Sequence, residues 1–189
     1  MTIYALSTAN GVSGLAVIRI SGHLALTALK TLSRKSNFET HKMSHIKIYD
    51  PDNGMHIDTG LGVYFAKPKS FTGEDVAEFS SHGSPAIVEM ILNRIYELGG
   101  REAQPGEFTK RAYLNDKIDL TQAEAVADLI ESTSARTAMA AKRSLAGEFS
   151  KRVGDISNRV TGVRAFVETM LDFSDQDLDE TKHPETLIS

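Results

Sequence analysis

Hydrophobic and polar residues follow a short, strand-like period in the first part of the chain and a heptad period in the last part. "TIYALS" reads as a short strand and "TANGVSG" as a loop. "LAVIRIS" is apolar on both faces, the pattern of a strand covered on both sides. "SGHLALTALKTLSR" puts Leu24, Ala28, Leu29 and Leu32 on one helical stripe, with Ser21 as its N-cap. "HIKIYD" and "MHIDTGLGVYFAKP", separated by the turn signal "PDNG", predict a hairpin, and "EDVAEFSS" predicts a further strand. "SPAIVEMILNRIYELGG" predicts a complete helix: Ser84 caps it, Pro85 takes the first position, Ile87, Ile91, Ile95 and Leu98 face inward, and the glycines end it. A shorter helix, "PGEFTKRAYL", opens at Pro105.

From Asp119 onward there is no strand or hairpin signal. Phe149, Val153, Ile156, Val160, Val163, Val167 and Met170 follow one another at alternating spacings of four and three, a heptad seam. Val126, Ile130, Thr133, Thr137 and Ala140 repeat that spacing with smaller residues, so the two stretches are expected to pair as a helical hairpin turning near "LAGEF". Gly154 and Gly162 lie off the seam and each cost that helix about 1 kcal/mol relative to alanine, so packing has to hold it. The expected class is α+β: a mixed α/β domain over 1–118, then an all-α segment of long paired helices over 119–189. Asp119 with Gln122, or Thr121 with Glu124, starts the first of those helices. The acidic end, "DFSDQDLDETKHPETLIS", reads as a linker or exit loop.

Composition narrows the functional classes. The 189 residues are 41% hydrophobic and 24% charged, ordinary for a globular protein, with no apolar run of membrane-spanning length and no secretory pattern at the start. A soluble cytoplasmic protein is the default expectation. There is no cysteine, which removes thiolate catalysis, zinc-thiolate sites and disulfides from these residues. The net charge of -4 arises mostly after residue 118, where eight Lys/Arg stand against thirteen Asp/Glu. Nothing here has the basic excess of a nucleic-acid platform. No G-x-x-x-x-G-K-[ST] occurs, so no phosphate-cradling P-loop is encoded, and "GVSG" falls short of a nucleophile elbow. Glu74, Asp75, Glu78 and His82 scatter over both faces of a strand, which argues against a metal site, and no residue is assigned a catalytic role.

Two charges are awkward for packing. Strand alternation puts Arg19 beside Leu15 and Val17, and Glu78 beside Val76 and Ser80. A charge on an apolar face needs a partner. Either Arg19 and Glu78 pair with each other, or both face a pocket and bind a polar ligand. His82 reads as a turn-supporting histidine rather than a base. Lys117, in "NDKIDLTQAE", is a third oddity, because a cation at a helix N-terminus opposes the helix dipole. It lies at the domain boundary, a usual place for a small-molecule cleft.

Taken together, "IYALST", "GLAVIRISG", "SFTGEDVAEF", "HGSPAIVEMIL", "QPGEFTKRAYLNDKIDLTQAEAVADLI" and "SLAGEFS" resemble, in order, the N-terminal half of the TrmE (MnmE) family of tRNA modification GTPases. The resemblance implies an α/β domain that binds formyl-tetrahydrofolate and forms a homodimer, followed by a helical domain into which a G domain is inserted. It places the folate site on Arg19, Glu78 and Lys117. It further implies that the intact protein uses GTP, magnesium and potassium in that G domain. There it works with the flavoprotein MnmG on the wobble uridine of certain tRNAs. The present residues would then be the part before the G domain, inactive as a GTPase alone. Family members often carry Pro-Pro-Gly-Arg-Gly-Gly where this chain has "ANGVSG", and Arg-Pro-Gly-Glu-Phe where it has "QPGEF", so two basic groups are missing here. Two other readings are a dimerising scaffold in which Arg19 and Glu78 only pair, and a stand-alone folate-binding or aminomethyltransferase-like protein.

Overall fold

A computed structural model describes residues 1–172 of the chain. The chain divides into two compact units, Met1–Ile118 and Asp119–Ser189. In the first unit, β1 (Ile3–Leu6), β2 (Ser13–Ser21), β3 (Ser44–Tyr49), β4 (His56–Phe65), β5 (Val76–Gly83) and β6 (Arg101–Glu102) form one sheet in the order β3-β4-β5-β2-β1-β6. Every pairing is antiparallel except that of β1 with β6. Helices α1 (Ala25–Ser33) and α2 (Pro85–Glu97) cover one face, and α3 (Glu107–Leu114) follows β6. The core lies under α1 and α2, where Ile18, Ile20, Ala77 and Phe79 of the sheet meet Leu29, Leu32, Ile91 and Ile95, all at most 1% exposed. Gly60 allows β4 to lie close to β5, because a Cβ there would sit 2.0 Å from the carbonyl oxygen of Ser80.

The strand alternation within "LAVIRIS" is as expected, but the covering is not. Ala16, Ile18 and Ile20 are buried, whereas on the opposite face Leu15 is 56% exposed and Val17 and Arg19 are half-buried. Helices α1 and α2 cover one face of the sheet; on the other, Val63 and Val76 are buried and Phe71 and Phe108 lie beside Arg19, while Leu15 stays exposed. Ser21 does not cap α1 either. It ends β2 and bonds the side chains of Thr72 and Glu74, while the N-cap is Leu24, whose N–H donates to Thr2 Oγ1 at 3.1 Å. For α2 the expected limits hold, with Pro85 in the first turn and Ser84 at the cap position, though without a side-chain cap bond. Val88, Ile91 and Ile95 are its buried residues; Ile87 and Leu98 are half-buried.

The second unit holds α4 (Leu120–Glu131), α5 (Ala135–Leu145) and α6 (Glu148–Asp172). Asp119 starts α4 with a full capping box to Gln122, so the Thr121 alternative is not the one used. The single helix expected from Val126 to Ala140 is two. Ser132 is extended at the end of α4, and Ser134 opens α5 with a second capping box to Thr137. Serine and threonine side chains compete for backbone N–H groups, and two capping boxes outweigh one continuous seam of small residues. The heptad seam of α6 forms on a helix, but its members from Phe149 to Met170 are 41–62% exposed and no α6 residue is buried, so the expected hairpin packing does not cover it. The acidic tail after Asp172 lies outside the described residues. Among the described residues no helix is long and apolar enough to cross a membrane.

Candidate functional site

Arg19 and Glu78 stand directly opposite one another in the β2/β5 ladder, which brings two residues 59 positions apart into contact. Arg19 Nε donates to Glu78 Oε1 at 2.7 Å, with the side chains 30% and 20% exposed. Both lie on the sheet face that α1 and α2 leave open. The pairing uses one nitrogen and one oxygen. The terminal guanidinium nitrogens of Arg19 and Oε2 of Glu78 have no hydrogen-bond partner among the described residues. The guanidinium lies beside two rings, 5.6 Å from the centroid of Phe71 and 5.8 Å from that of Phe108, within cation–π range.

Phe71 belongs to the loop before β5, and the same loop carries the contact to Lys117. Gly73 there has φ +77, and a Cβ on it would lie 3.1 Å from Asn115 Cβ and 3.2 Å from Lys117 Cγ. Glycine is needed both for the left-handed backbone and for the close approach. The aliphatic stem of Lys117 therefore rests against the loop that supports Arg19. Its residue is exposed, and its ammonium has no partner among the described residues. Asn115 Nδ2 ties the two segments together by donating to the Thr72 carbonyl at 2.7 Å.

Behind the loop runs a buried polar network that the sequence reading did not single out. Ser21 and Thr72, both 0% exposed, share a hydroxyl bond of 2.7 Å. Glu74 Oε2 accepts from Ser21 at 2.8 Å and from Arg111 at 2.8 Å, and Arg111 also meets Glu107. Among the described residues no buried side-chain nitrogen or oxygen lacks a partner. Phe71, Phe108, Glu74 and Arg111 all fall within stretches singled out above, "SFTGED" and "PGEFTKR", but single-strand alternation cannot signal contacts made by loops.

Glu107 anchors the start of α3. The Arg101 guanidinium outweighs the burial that would raise its pKa; with the Gln104 N–H and Arg111 it brings the carboxyl from 4.5 down to about 2. The side chain is 13% exposed, and the depression corresponds to at most about 3 kcal/mol. A lowered carboxyl pKa stabilises the fold above the unfolded value. That contribution is complete above 4.5 and disappears as the pH falls through about 2. Glu107→Gln is therefore expected to cost about 1–3 kcal/mol in urea denaturation at neutral pH. The gap between variant and wild type should close in acid, and an equal gap at both pH values would show that the charge is not responsible.

His82 continues β5 and is held by Asp58, whose carboxylate accepts the His82 backbone N–H and Nδ1 at 2.8 Å each. Burial alone would raise the Asp58 pKa, yet these bonds hold it below the ordinary range. Histidine here closes a β4/β5 contact rather than a turn. Among the described residues no group of three or more His, Cys, Asp or Glu is placed to hold a metal ion.

Comparison with known proteins accounts for nearly the whole chain. Residues 2–117 match the family model described as GTP-binding protein TrmE N-terminus, and residues 120–188 match that of the MnmE helical domain. The chain is 47% identical over 178 residues to the tRNA modification GTPase MnmE of Pseudomonas fluorescens, covering 94% of this chain and 39% of that protein. The Neisseria gonorrhoeae relative of the same name is 49% identical with the same coverage, and that of Dechloromonas aromatica 46% identical over 181 residues. The chain thus spans about two fifths of the length of these relatives. It belongs to the TrmE (MnmE) family of tRNA modification GTPases, and consists of the N-terminal domain and helical-domain residues that those matches cover.

Proposed function

We propose that the first unit binds formyl-tetrahydrofolate through Arg19, Glu78 and Lys117 and forms a homodimer, as the N-terminal part of a GTPase that modifies tRNA. The observation that carries the folate reading is the half-used pairing of Arg19 and Glu78. A purely structural arginine–carboxylate pair favours the bidentate fork. Here one carboxylate oxygen and the terminal guanidinium nitrogens carry no hydrogen bond among the described residues, and two phenylalanine rings lie beside the guanidinium. A pterin edge offers adjacent N–H donors to such a carboxylate, and the aromatic rings suit its flat face. Arg19 and the ammonium of Lys117 suit the ligand's carbonyl oxygen and its glutamate tail. Calorimetric titration with formyl-tetrahydrofolate should give saturable binding. Absence of binding would reduce Arg19 and Glu78 to a structural pair.

The homodimer reading rests on the exposed leucines of the sheet face that α1 and α2 do not cover, Leu15 at 56% and Leu61 at 37%. In the intact protein, the relatives' name supports a GTPase acting on tRNA. We place its wobble-uridine chemistry, its flavoprotein partner MnmG, its GTP, magnesium and potassium, and its cytoplasmic location in the same proposal. The 189 residues contain no P-loop, so the purified chain should not turn over GTP in a phosphate-release assay. Measurable turnover would overturn that assignment.

A further inference from the structure

We propose that the cavity between α2, β1 and the loop at residues 10–11 binds a small organic cation, an ammonium or guanidinium on an apolar stem. The cavity measures about 390 Å³, within the roughly 300–1,000 Å³ range of small-molecule sites. Its depth is apolar: Val88 is buried, and Leu6 and Leu92 are half-buried. Its rim is acidic. Glu89 on α2 and Glu102 on β6 are exposed carboxylates, and no lysine, arginine or histidine lines the cavity.

Tyr4 points independently to a ligand. It is 6% exposed and lines the cavity, yet its hydroxyl has no hydrogen-bond partner among the described residues. No buried side-chain oxygen among the described residues lacks a partner, so this unbonded hydroxyl is an accessible one on a residue that lines the cavity, where an incoming polar group can meet it. Burial, then the Glu102 carboxylate, raises the phenol pKa, so it stays neutral and its oxygen can accept an N–H. Tyr4 is paired with Glu102 in β6 and with Ile20 in β2, which puts both side chains on the helix-covered face, opposite Arg19. A stem packed on Val88 and Leu92 would carry its charged head to the two carboxylates; an anion would be repelled there, and a neutral alcohol would keep the apolar contact but lack the charge-assisted bonds. The site shares no lining residue with the proposed folate site.

The test is a titration of the whole chain with n-pentylammonium chloride, followed by amide proton–nitrogen correlation spectra, with n-pentanol and pentanoate as controls. Saturable shifts centred on Tyr4, Leu6, Val88 and Leu92 are expected, with a dissociation constant on the order of 1 mM, as suits so small a ligand. Pentanol should bind about tenfold more weakly, for want of the charge-assisted bonds. Tyr4→Phe removes only the hydroxyl and should weaken binding about threefold to tenfold. Glu89→Gln with Glu102→Gln, both exposed and so compatible with folding, should abolish the preference for the cation. Glu78→Gln should leave the pentylammonium shifts unchanged, which separates this site from the folate reading. The proposal is overturned if pentylammonium gives no saturable shifts at these residues. It is equally overturned if the doubly substituted chain, shown to be folded by its own spectrum, binds the cation as well as wild type does.

Discussion

Phe79→Ala is expected to lower the stability of the first unit by about 3–5 kcal/mol, a large share of the roughly 5–15 kcal/mol typical of a whole domain. Phe79 is fully buried in β5, with Ile18 of β2 on one side and Gly62 of β4 on the other, and its ring lies in the core beneath α1 and α2. Truncation removes the transfer free energy of the ring and leaves a cavity that the fixed sheet spacing cannot close. Val160→Ala provides the contrast. Val160 is as apolar as a core valine but 62% exposed on the uncovered seam of α6, so its truncation should change stability by no more than about 0.5 kcal/mol. Chemical denaturation followed by a probe in each unit separates the two results. A Phe79→Ala loss below about 1 kcal/mol would mean the core is elsewhere.

Glu78→Gln is expected to weaken formyl-tetrahydrofolate binding by about 10- to 100-fold, the effect of losing charged hydrogen bonds of roughly 1.5–3 kcal/mol. The amide keeps the shape of the carboxylate but turns one acceptor into a donor, which would face the N–H groups of the pterin edge. Stability should fall by less, about 1 kcal/mol, because the amide oxygen that replaces the carboxylate can still accept from Arg19 Nε. A loss of affinity that exceeds the loss of stability is therefore the distinctive outcome, and calorimetry beside denaturation reads both. Arg19→Lys supplies the companion result: it keeps the charge and loses the fork, so folate affinity should fall while the charge balance is unchanged. Unchanged affinity in Glu78→Gln would make the pterin-edge assignment wrong.

Local physics was enough for several elements. The α2 helix, with its proline at the start and apolar residues at helical spacing, and the strand alternation of β2 and β5 could be read from neighbouring residues alone, because their determinants lie within a turn or a few positions. The oddity of Arg19 and Glu78 was legible for the same reason, since alternation puts each on a face otherwise apolar. Local signals misled where competing ones were present. Ser21 has the chemistry of a cap, but tertiary contacts with Thr72 and Glu74 claim it for the sheet. The small-residue seam through Thr133 was continuous on paper, yet Ser134 and Thr137 close a second capping box and break it into two helices.

The chain's order of residues by itself determined most of the helices and strands, where the two odd charges lie, and that no P-loop or cysteine is present. Only the tertiary structure decided that Arg19 meets Glu78 through a single nitrogen, that Phe71 and Phe108 flank it, and that Lys117 rests on Gly73. It also decided which sheet face the helices α1 and α2 cover and which helix seam stays exposed. The physical reason is range. Capping, alternation and helical periodicity act over a few residues. Ladder register, loop packing and burial join positions dozens of residues apart, and their outcome depends on which partners the whole chain brings into reach.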